Sequence, residues 1–506
     1  MMLSFIDRLI DRITMYRLVL YYLLALLGGA FLLGMFKVIA VDPTALAFSA
    51  VLITAASWVA NRVFARVFGA IPNLESVFIT ALILMLILDP TTATDLKGVG
   101  LLIFASVWAM ASKFILSVRR RHVFNPAALG VALPGLLLDQ PATWWVSGVI
   151  WLLPIVLVGG VLLVRKLRRF DLVAAFAAAN ILTTLVTSAP SEYVNQLQIT
   201  LLHSPFFFFA FIMLTEPLTA PQQKLWRVVY GALVGLLASP SIAIAGYYFT
   251  PEVALLVGNL LTLAVSPAGR VILTLERIEK AADGVFDFVF SPDRRLAFAA
   301  GQYLEWTMPV RRPDDRGNRR YFTIASSPTE DEVRLGVKFY PDGSAFKREL
   351  SELQPGDTIA ASQLAGSFTL PTDADKKLVF IAGGIGITPF RSMLVELLDH
   401  NEPRTITVLY GNGRVTDIAY ADILEEARVR LGIETHYAVM NPAGATPGMV
   451  VGFIDEAMIE RTVPDFRERT FYISGPQPMV AAEKRLLRRM GVPPWQIKTD
   501  FFPGLA

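Results

Sequence analysis

The sequence predicts three domains: a ten-span α-helical membrane domain over residues 1–269, a small antiparallel β-barrel over 270–375, and an α/β domain with a parallel sheet over 376–506. Three observations predict it. Ionisable residues occupy 29 of the first 270 positions and 60 of the last 236, a division between a lipid and an aqueous solvent. The first part is a succession of apolar stretches long enough for a bilayer. The second alternates short β-type runs, and after about Lys376 strands alternate with helices, the pattern of a parallel sheet. The balance of 46 Lys+Arg against 43 Asp+Glu gives a net charge of +3, too small to indicate a nucleic-acid partner. The chain has no cysteine, which excludes thiolate-held iron–sulfur clusters, Cys-ligated zinc, disulfides and a cysteine nucleophile. Redox chemistry, if present, must use an organic cofactor or haem.

Residues 18–36 are nineteen consecutive uncharged positions, enough to cross about 30 Å of hydrocarbon at about 1.5 Å per residue. Acidic Asp7 and Asp11 precede them and further spans follow, so they read as a retained helix and not a cleaved signal. Residues 1–12 read as an amphipathic lead-in. The other nine spans are expected at 43–61, 71–88, 98–118, 123–138, 141–164, 172–190, 199–214, 228–250 and 253–266. Loop cations test this count independently. Arg17, Arg62, Arg66, the arginines at 119–121, the cluster at 165–169 and Arg227 all fall on one side, whereas the other has only Lys37 and Lys97. Both termini are therefore expected in the cytoplasm, with the lipid bilayer of the inner membrane as partner.

Ionisable groups near lipid are candidates for function. Lys113 lies two turns before the arginines at 119–121 and is expected to snorkel towards them. Glu75 reads either as a helix-start carboxylate or as a cation or proton port. Glu216, in Thr215-Glu216-Pro217-Leu218-Thr219-Ala220-Pro221, reads either as an interface residue or as functional. His122 and His203 are expected at opposite membrane faces and so cannot share a haem iron. The run of phenylalanines at 206–209 covers every helix face, so most of it must be packing or lipid contact.

Three segments carry a resemblance: Asn73-Leu74-Glu75-Ser76-Val77-Phe78, Arg121-His122-Val123-Phe124-Asn125-Pro126-Ala127-Ala128, and the Thr215 to Pro221 segment. In order and spacing this half resembles the B subunit of the sodium-pumping NADH:quinone reductase and the D subunit of the Rnf complex. The resemblance implies bound flavin, with Asn125 as a flavin contact; read from the residues alone, Asn125 is equally a cap for a broken helix. The family's outer threonine motif has no counterpart here, where the fifth and sixth spans are joined by Asp139-Gln140-Pro141-Ala142-Thr143. A second flavin in the membrane domain, riboflavin or FMN, is thus expected to be noncovalent.

In the soluble half, Arg319-Arg320-Tyr321-Phe322-Thr323-Ile324-Ala325-Ser326 offers a cation for a diphosphate, an aromatic face and a hydroxyl in reach of a flavin N5. Gly383-Gly384-Ile385-Gly386-Ile387-Thr388-Pro389 follows a buried strand and opens a helix, where backbone amides can approach a pyrophosphate. Tyr472-Ile473-Ser474-Gly475-Pro476 follows another strand. Together these resemble the ferredoxin-NADP reductase superfamily, which implies an FAD-binding antiparallel β-barrel followed by an α/β parallel-sheet nicotinamide-nucleotide domain. By that resemblance FAD contacts fall on Arg320, Phe322, Thr323, Gly343 and Ser344. NAD(P)H contacts fall on Gly384, Gly386, Thr388, Pro389 and Gly475, and the catalytic positions are Thr323 and Ser474. Arg414 is a candidate for a 2′-phosphate, and the choice between NADH and NADPH stays open. The expected function is a membrane-bound NAD(P)H dehydrogenase passing electrons through FAD into a flavin-binding membrane domain and on to a quinone or another acceptor. The alternative is a redox-driven cation or solute transporter with a reductase domain as driver or sensor.

Overall fold

The structure is a computed structural model that describes residue 10 and residues 13–69, 74–119, 121–244, 246–266, 269–310, 318–340 and 343–500. Most of the lead-in expected over 1–12, together with Asn73 and Arg120, lies outside the described residues. The chain forms two compact units, Met1–Gly269 and Arg270–Ala506.

The first unit is helical. Five helices are long and apolar enough to cross a membrane: Met15–Met35, Pro43–Val67, Leu96–Ile115, Ile150–Leu167 and Phe170–Thr187. A sixth candidate, Pro190–His203 with Phe206–Met213, is bent by 57° at its break. It contains two π-helical turns, Ile199–His203 and Phe209–Met213. The remaining apolar helices are shorter: Leu74–Ile87, Pro126–Leu138, Lys224–Leu237 and Pro251–Val265. Leu74–Ile87 is apolar all round because it is surrounded: every residue from Thr80 to Ile87 is buried. Lys224–Leu237 lies close against Phe170–Thr187, because Gly231 and Gly235 bring it onto the carbonyls of Leu172 and Phe176. The phenylalanine run is packing: Phe206 and Phe209 sit 5.4 and 5.5 Å from Phe176, and Phe209 meets Trp144 edge-on at 5.9 Å.

The second unit contains two six-stranded sheets. The first is antiparallel, built from β1 (Val271–Ala282), β2 (Val285–Pro292), β3 (Tyr303–Thr307), β4 (Arg319–Thr323), β5 (Val333–Lys338) and β6 (Thr358–Ala365). Their order is β4-β3-β6-β1-β2-β5, which places β4 at an edge. β2 departs from the expected alternation, since residues 287–290 are all buried, and Phe288, Phe290, Trp306 and Leu335 fill the core.

The second sheet is parallel throughout. It contains β7 (Leu378–Gly383), β8 (Ile406–Asn412), β9 (Glu434–Val439), β10 (Val450–Val451), β11 (Thr470–Ser474) and β12 (Ile497–Asp500) in the order β10-β9-β8-β7-β11-β12. Every residue of β7 is buried, as a central strand covered on both faces must be. Strand order reverses between β7 and β11, so a crevice opens at their carboxyl ends, where doubly wound sheets bind ligands. Helices α1 (Ala345–Ser351), α2 (Thr388–Asp399), α3 (Ala421–Leu431), α4 (Glu456–Thr462) and α5 (Gln477–Arg489) complete the unit.

Candidate functional site

The glycine turn after β7 uses each glycine differently. Gly384 has φ +51° and open space where a side chain would stand, so its backbone faces outward in a conformation that disfavours side chains. Gly386 is packed: a Cβ there would meet the Ser474 carbonyl at 2.5 Å and the Gly475 nitrogen at 2.6 Å. The loops after β7 and β11 therefore touch at the switch point. Thr388 and Pro389 start α2, with the Thr388 hydroxyl donating to the Ile385 carbonyl at 3.2 Å. Tyr410, which sequence reasoning passed over, donates its hydroxyl to the Gly384 carbonyl at 3.1 Å and accepts from the Ala419 amide at 3.3 Å. Its only sequence signal is an aromatic at the carboxyl end of a buried strand. Ser474 ends β11 and is buried.

On β4, Arg320 donates to the Arg319 carbonyl at 2.7 Å and its guanidinium lies 5.5 Å from the Phe346 ring centre. Phe322 is half-buried against the same ring at 5.7 Å. Strand alternation puts Thr323 and Tyr321 on the opposite face, so the motif residues Arg320, Phe322 and Thr323 do not share one face. Thr323 is buried and pairs with Tyr303. Tyr321 packs edge-on against Tyr303 at 5.7 Å and donates to Gln363, whose amide in turn donates to buried Glu305 at 2.7 Å. Gln363 holds φ +54° at a register shift of β6, a feature that no sequence pattern announced. Ser344 caps α1 by accepting from the Lys347 amide, and Gly343 sits just before it, its carbonyl accepting from Arg348 at 2.7 Å. Arg414 is exposed and pairs with buried Asp417 at 3.2 Å, which also receives Lys338 at 3.2 Å.

Burial perturbs groups around this crevice. It pushes the Tyr472 hydroxyl up to about 12 and pulls the Lys498 ammonium down, although Lys498 donates to that hydroxyl at 2.7 Å. Burial also raises Asp287 above the usual carboxylate range.

In the helical unit a second polar cluster joins the motif segments. Asn125 caps Pro126–Leu138: its side-chain oxygen accepts from the Ala128 amide at 3.0 Å, the reading of a helix cap. Its backbone amide donates to Asn259 at 2.8 Å, and Asn259 donates to the Thr219 carbonyl at 3.2 Å and the Tyr230 hydroxyl at 3.3 Å. Glu216 lies 3.3 Å from His122 and accepts from Thr219 at 2.8 Å. The Lys113 ammonium donates to the Ser76 carbonyl, the Ser76 hydroxyl and the Thr80 hydroxyl of the neighbouring helix at 3.0–3.2 Å. Glu75 stands in the first turn of its helix, 3.4 Å from Arg17. Asn259 and Tyr230 were missed by sequence reading, since neither lies in a recognisable motif.

Comparison with known proteins matches three segments of the chain. Residues 136–266 match the NQR2, RnfD, RnfE family, 273–369 the oxidoreductase FAD-binding domain, and 380–485 the oxidoreductase NAD-binding domain. A flavohemoprotein of Pseudomonas putida is 31% identical over 236 residues, covering 46% of this chain and 59% of that protein. The reductase component of propane 2-monooxygenase from Mycolicibacterium goodii is 30% identical over 248 residues, covering 47% and 66%. The chain thus spans between half and two thirds of the curated relatives it matches. Among solved structures, the cytochrome P450 reductase GcoB of Amycolatopsis is 24% identical, with 46% of this chain and 70% of that one covered and a TM-score of 0.41. The cytochrome b5 reductase domain of Ulva prolifera nitrate reductase is 25% identical, with 45% and 96% covered and a TM-score of 0.40. The chain is therefore similar to the NQR2, RnfD, RnfE family over residues 136–266 and to FAD-binding and NAD-binding oxidoreductase domains over 273–369 and 380–485.

Proposed function

We propose that this protein is a membrane-bound NAD(P)H dehydrogenase whose soluble unit takes hydride from a nicotinamide nucleotide and whose membrane unit hands the electrons to a quinone or another acceptor. The observation that carries this reading is the meeting of Gly386 with Ser474 and Gly475 at the switch point of the parallel sheet, in the unit that also holds the FAD-type strand. Open, outward-facing Gly384 fits a backbone cradle for a pyrophosphate, and the start of α2 adds its positive end. Tyr410 fixes that turn by its bond to the Gly384 carbonyl. Arg320, Phe322, Thr323, Gly343 and Ser344 would hold FAD, which when bound supplies two-electron acceptance and one-electron release. Thr323 and Ser474 are the hydroxyls assigned to the reacting ends.

The membrane unit is assigned ten spans in the inner membrane, both termini in the cytoplasm, and a noncovalent riboflavin or FMN near Asn125. The half-buried pair of His122 and Glu216 in the helical unit favours a second reading, redox-driven cation transport, which NAD(P)H-dependent ion flux in proteoliposomes would distinguish.

The test is to purify the full chain and an Asn125→Leu variant, denature both, and measure released flavins alongside quinone reduction. FAD plus a second flavin in the parent, with only the second diminished in the variant, is expected. FAD alone in a parent that reduces quinone refutes the membrane flavin, and absence of FAD refutes the dehydrogenase.

A further inference from the structure

The antiparallel-sheet and parallel-sheet domains meet in the second unit through buried polar groups set beside an apolar seam, where Phe368 packs against Phe390 at 5.7 Å and Tyr472 at 5.1 Å. Arg391, in the first turn of α2, donates to the Ala325 carbonyl at 2.7 Å and grips both oxygens of Glu330 at 2.9 and 3.1 Å. Its neighbour Ser392 donates to the Ser326 carbonyl at 2.6 Å. These carbonyls follow Thr323 by two and three residues, and Arg391 follows Thr388 by three. Beside them, the Tyr420 hydroxyl donates to Asp287 of β2 at 2.5 Å, and the Arg391 guanidinium lies 5.6 Å from the centre of the Tyr420 ring. Arg391, Tyr420 and Asp287 are all at most 7% exposed. Gly336 of β5 leaves the space: a side chain there would meet both Thr388 and the Tyr420 hydroxyl at 2.7 Å.

Two features argue that this junction does more than hold the domains together. Tyr420 carries φ +57°, a strained conformation for a bulky residue, and such strain persists only where its surroundings enforce it. The Arg391–Glu330 pair is largely withdrawn from water, with side chains 7% and 20% exposed; such a pair is a poor source of stability compared with well-packed apolar residues, and its best-attested use is to fix register. A two-pronged guanidinium and a buried phenol add fixed donor–acceptor distances to the apolar contacts beside them.

We propose that Arg391, Glu330, Tyr420 and Asp287 are positioning residues for hydride transfer, locking the FAD-type barrel against the nucleotide domain at the separation the reaction needs. The inference rests on the dehydrogenase reading. The reaction moves one hydride, two electrons and one proton, from the nicotinamide nucleotide to FAD, the second proton coming from water. None of the four residues exchanges a proton or electron. They act through the strand ending in Thr323 and the helix beginning at Thr388. A misplacement of about 1 Å costs such a transfer on the order of a hundredfold in rate.

The test uses the full chain in detergent, with Tyr420→Phe and Glu330→Gln as single-atom or isosteric changes and Arg391→Lys as a variant that keeps charge but loses the fork. FAD content is measured first. Anaerobic single-turnover reduction by NADH and NADPH, and by their deuterated forms, is then followed well below each melting temperature. The expected result is unchanged FAD content, a limiting reduction rate lowered at least about tenfold, a nucleotide dissociation constant changed far less, and a fully expressed isotope effect. A purely structural role would lower the melting temperature and leave the limiting rate alone; that outcome in the variants that retain FAD overturns the proposal. If all three variants lost FAD, the junction would be a folding element and the proposal would fail. A parent that binds FAD but is reduced by neither nucleotide overturns the dehydrogenase reading instead.

Discussion

Gly384 and Gly386 stand two positions apart in one motif and are glycines for different reasons. At Gly384→Ala there is room, but φ +51° costs a side chain about 1–2 kcal/mol, so a melting temperature lowered by a few degrees together with weaker nucleotide binding is expected from calorimetry and titration. Gly386→Ala drives a methyl group into the Ser474–Gly475 backbone, so loss of about 1–3 kcal/mol of stability should accompany the binding defect. The spacing of the motif was legible in the sequence, but which glycine faces outward was not, because that depends on a loop some ninety residues later. Lys113 teaches the same point: its arginine-rich surroundings were visible in sequence, its three acceptors on another helix were not. Glu483 had no sequence signal at all. Burial, with Asp455 adding repulsion, pushes its carboxyl up to about 7, and its Oε2 meets no hydrogen-bond partner among the described residues. Stability from this group is complete below its unfolded value of about 4.3 and is lost as pH rises through about 7. Glu483→Gln should therefore be more stable than the parent at pH 8 by on the order of 2 kcal/mol and indistinguishable at pH 4, read by hydrogen exchange in α5.

Helices and strands were located well by periodicity and measured poorly by it. Five helices, or six with the bent pair, are long and apolar enough to cross a membrane, and the run expected over 228–250 is helical only to Leu237; hydropathy cannot see where an apolar run is enclosed by its neighbours, as Leu74–Ile87 is, or where backbone bonds shift to π-helical turns, as between Ile199 and Met213. Asn125 shows how a cap and a ligand contact share one residue type: its oxygen is committed to Ala128, leaving the assignment to flavin dependent on the rest of the amide. The contact between Lys224–Leu237 and Phe170–Thr187 depends on small residues one turn apart. Gly235→Val would push a branched side chain into the Phe176 backbone, with an expected cost of about 1–3 kcal/mol and a lower melting temperature in detergent. An unchanged melting curve would show that the two helices can separate without penalty. In the soluble unit the parallel strands were legible because a fully apolar run such as β7 has few alternatives. The kink at Gln363 was not, since its positive φ is imposed by Glu305 and Tyr321 from other strands.

At the scale of the whole molecule, the charge distribution divides the chain at the place where the two compact units part. Composition was decisive here because solvent selects residue types over hundreds of positions, whereas each site is settled by a handful of contacts. The position of β4 has a consequence for how the protein is made. It is the outermost strand of its sheet, paired only with β3 among the described residues, and it carries Arg320, Phe322 and Thr323. An open strand edge is a template for pairing with another chain. The residues proposed to hold FAD lie on this same strand, so protein made in cells short of riboflavin is expected to hold β4 less firmly, and vitamin supply becomes a determinant of colloidal behaviour. Chromatography of protein expressed under riboflavin limitation should show more self-associated material than protein from replete cells, with soluble yield recovering on flavin supplementation; identical elution profiles would mean that the edge is protected by the polypeptide itself.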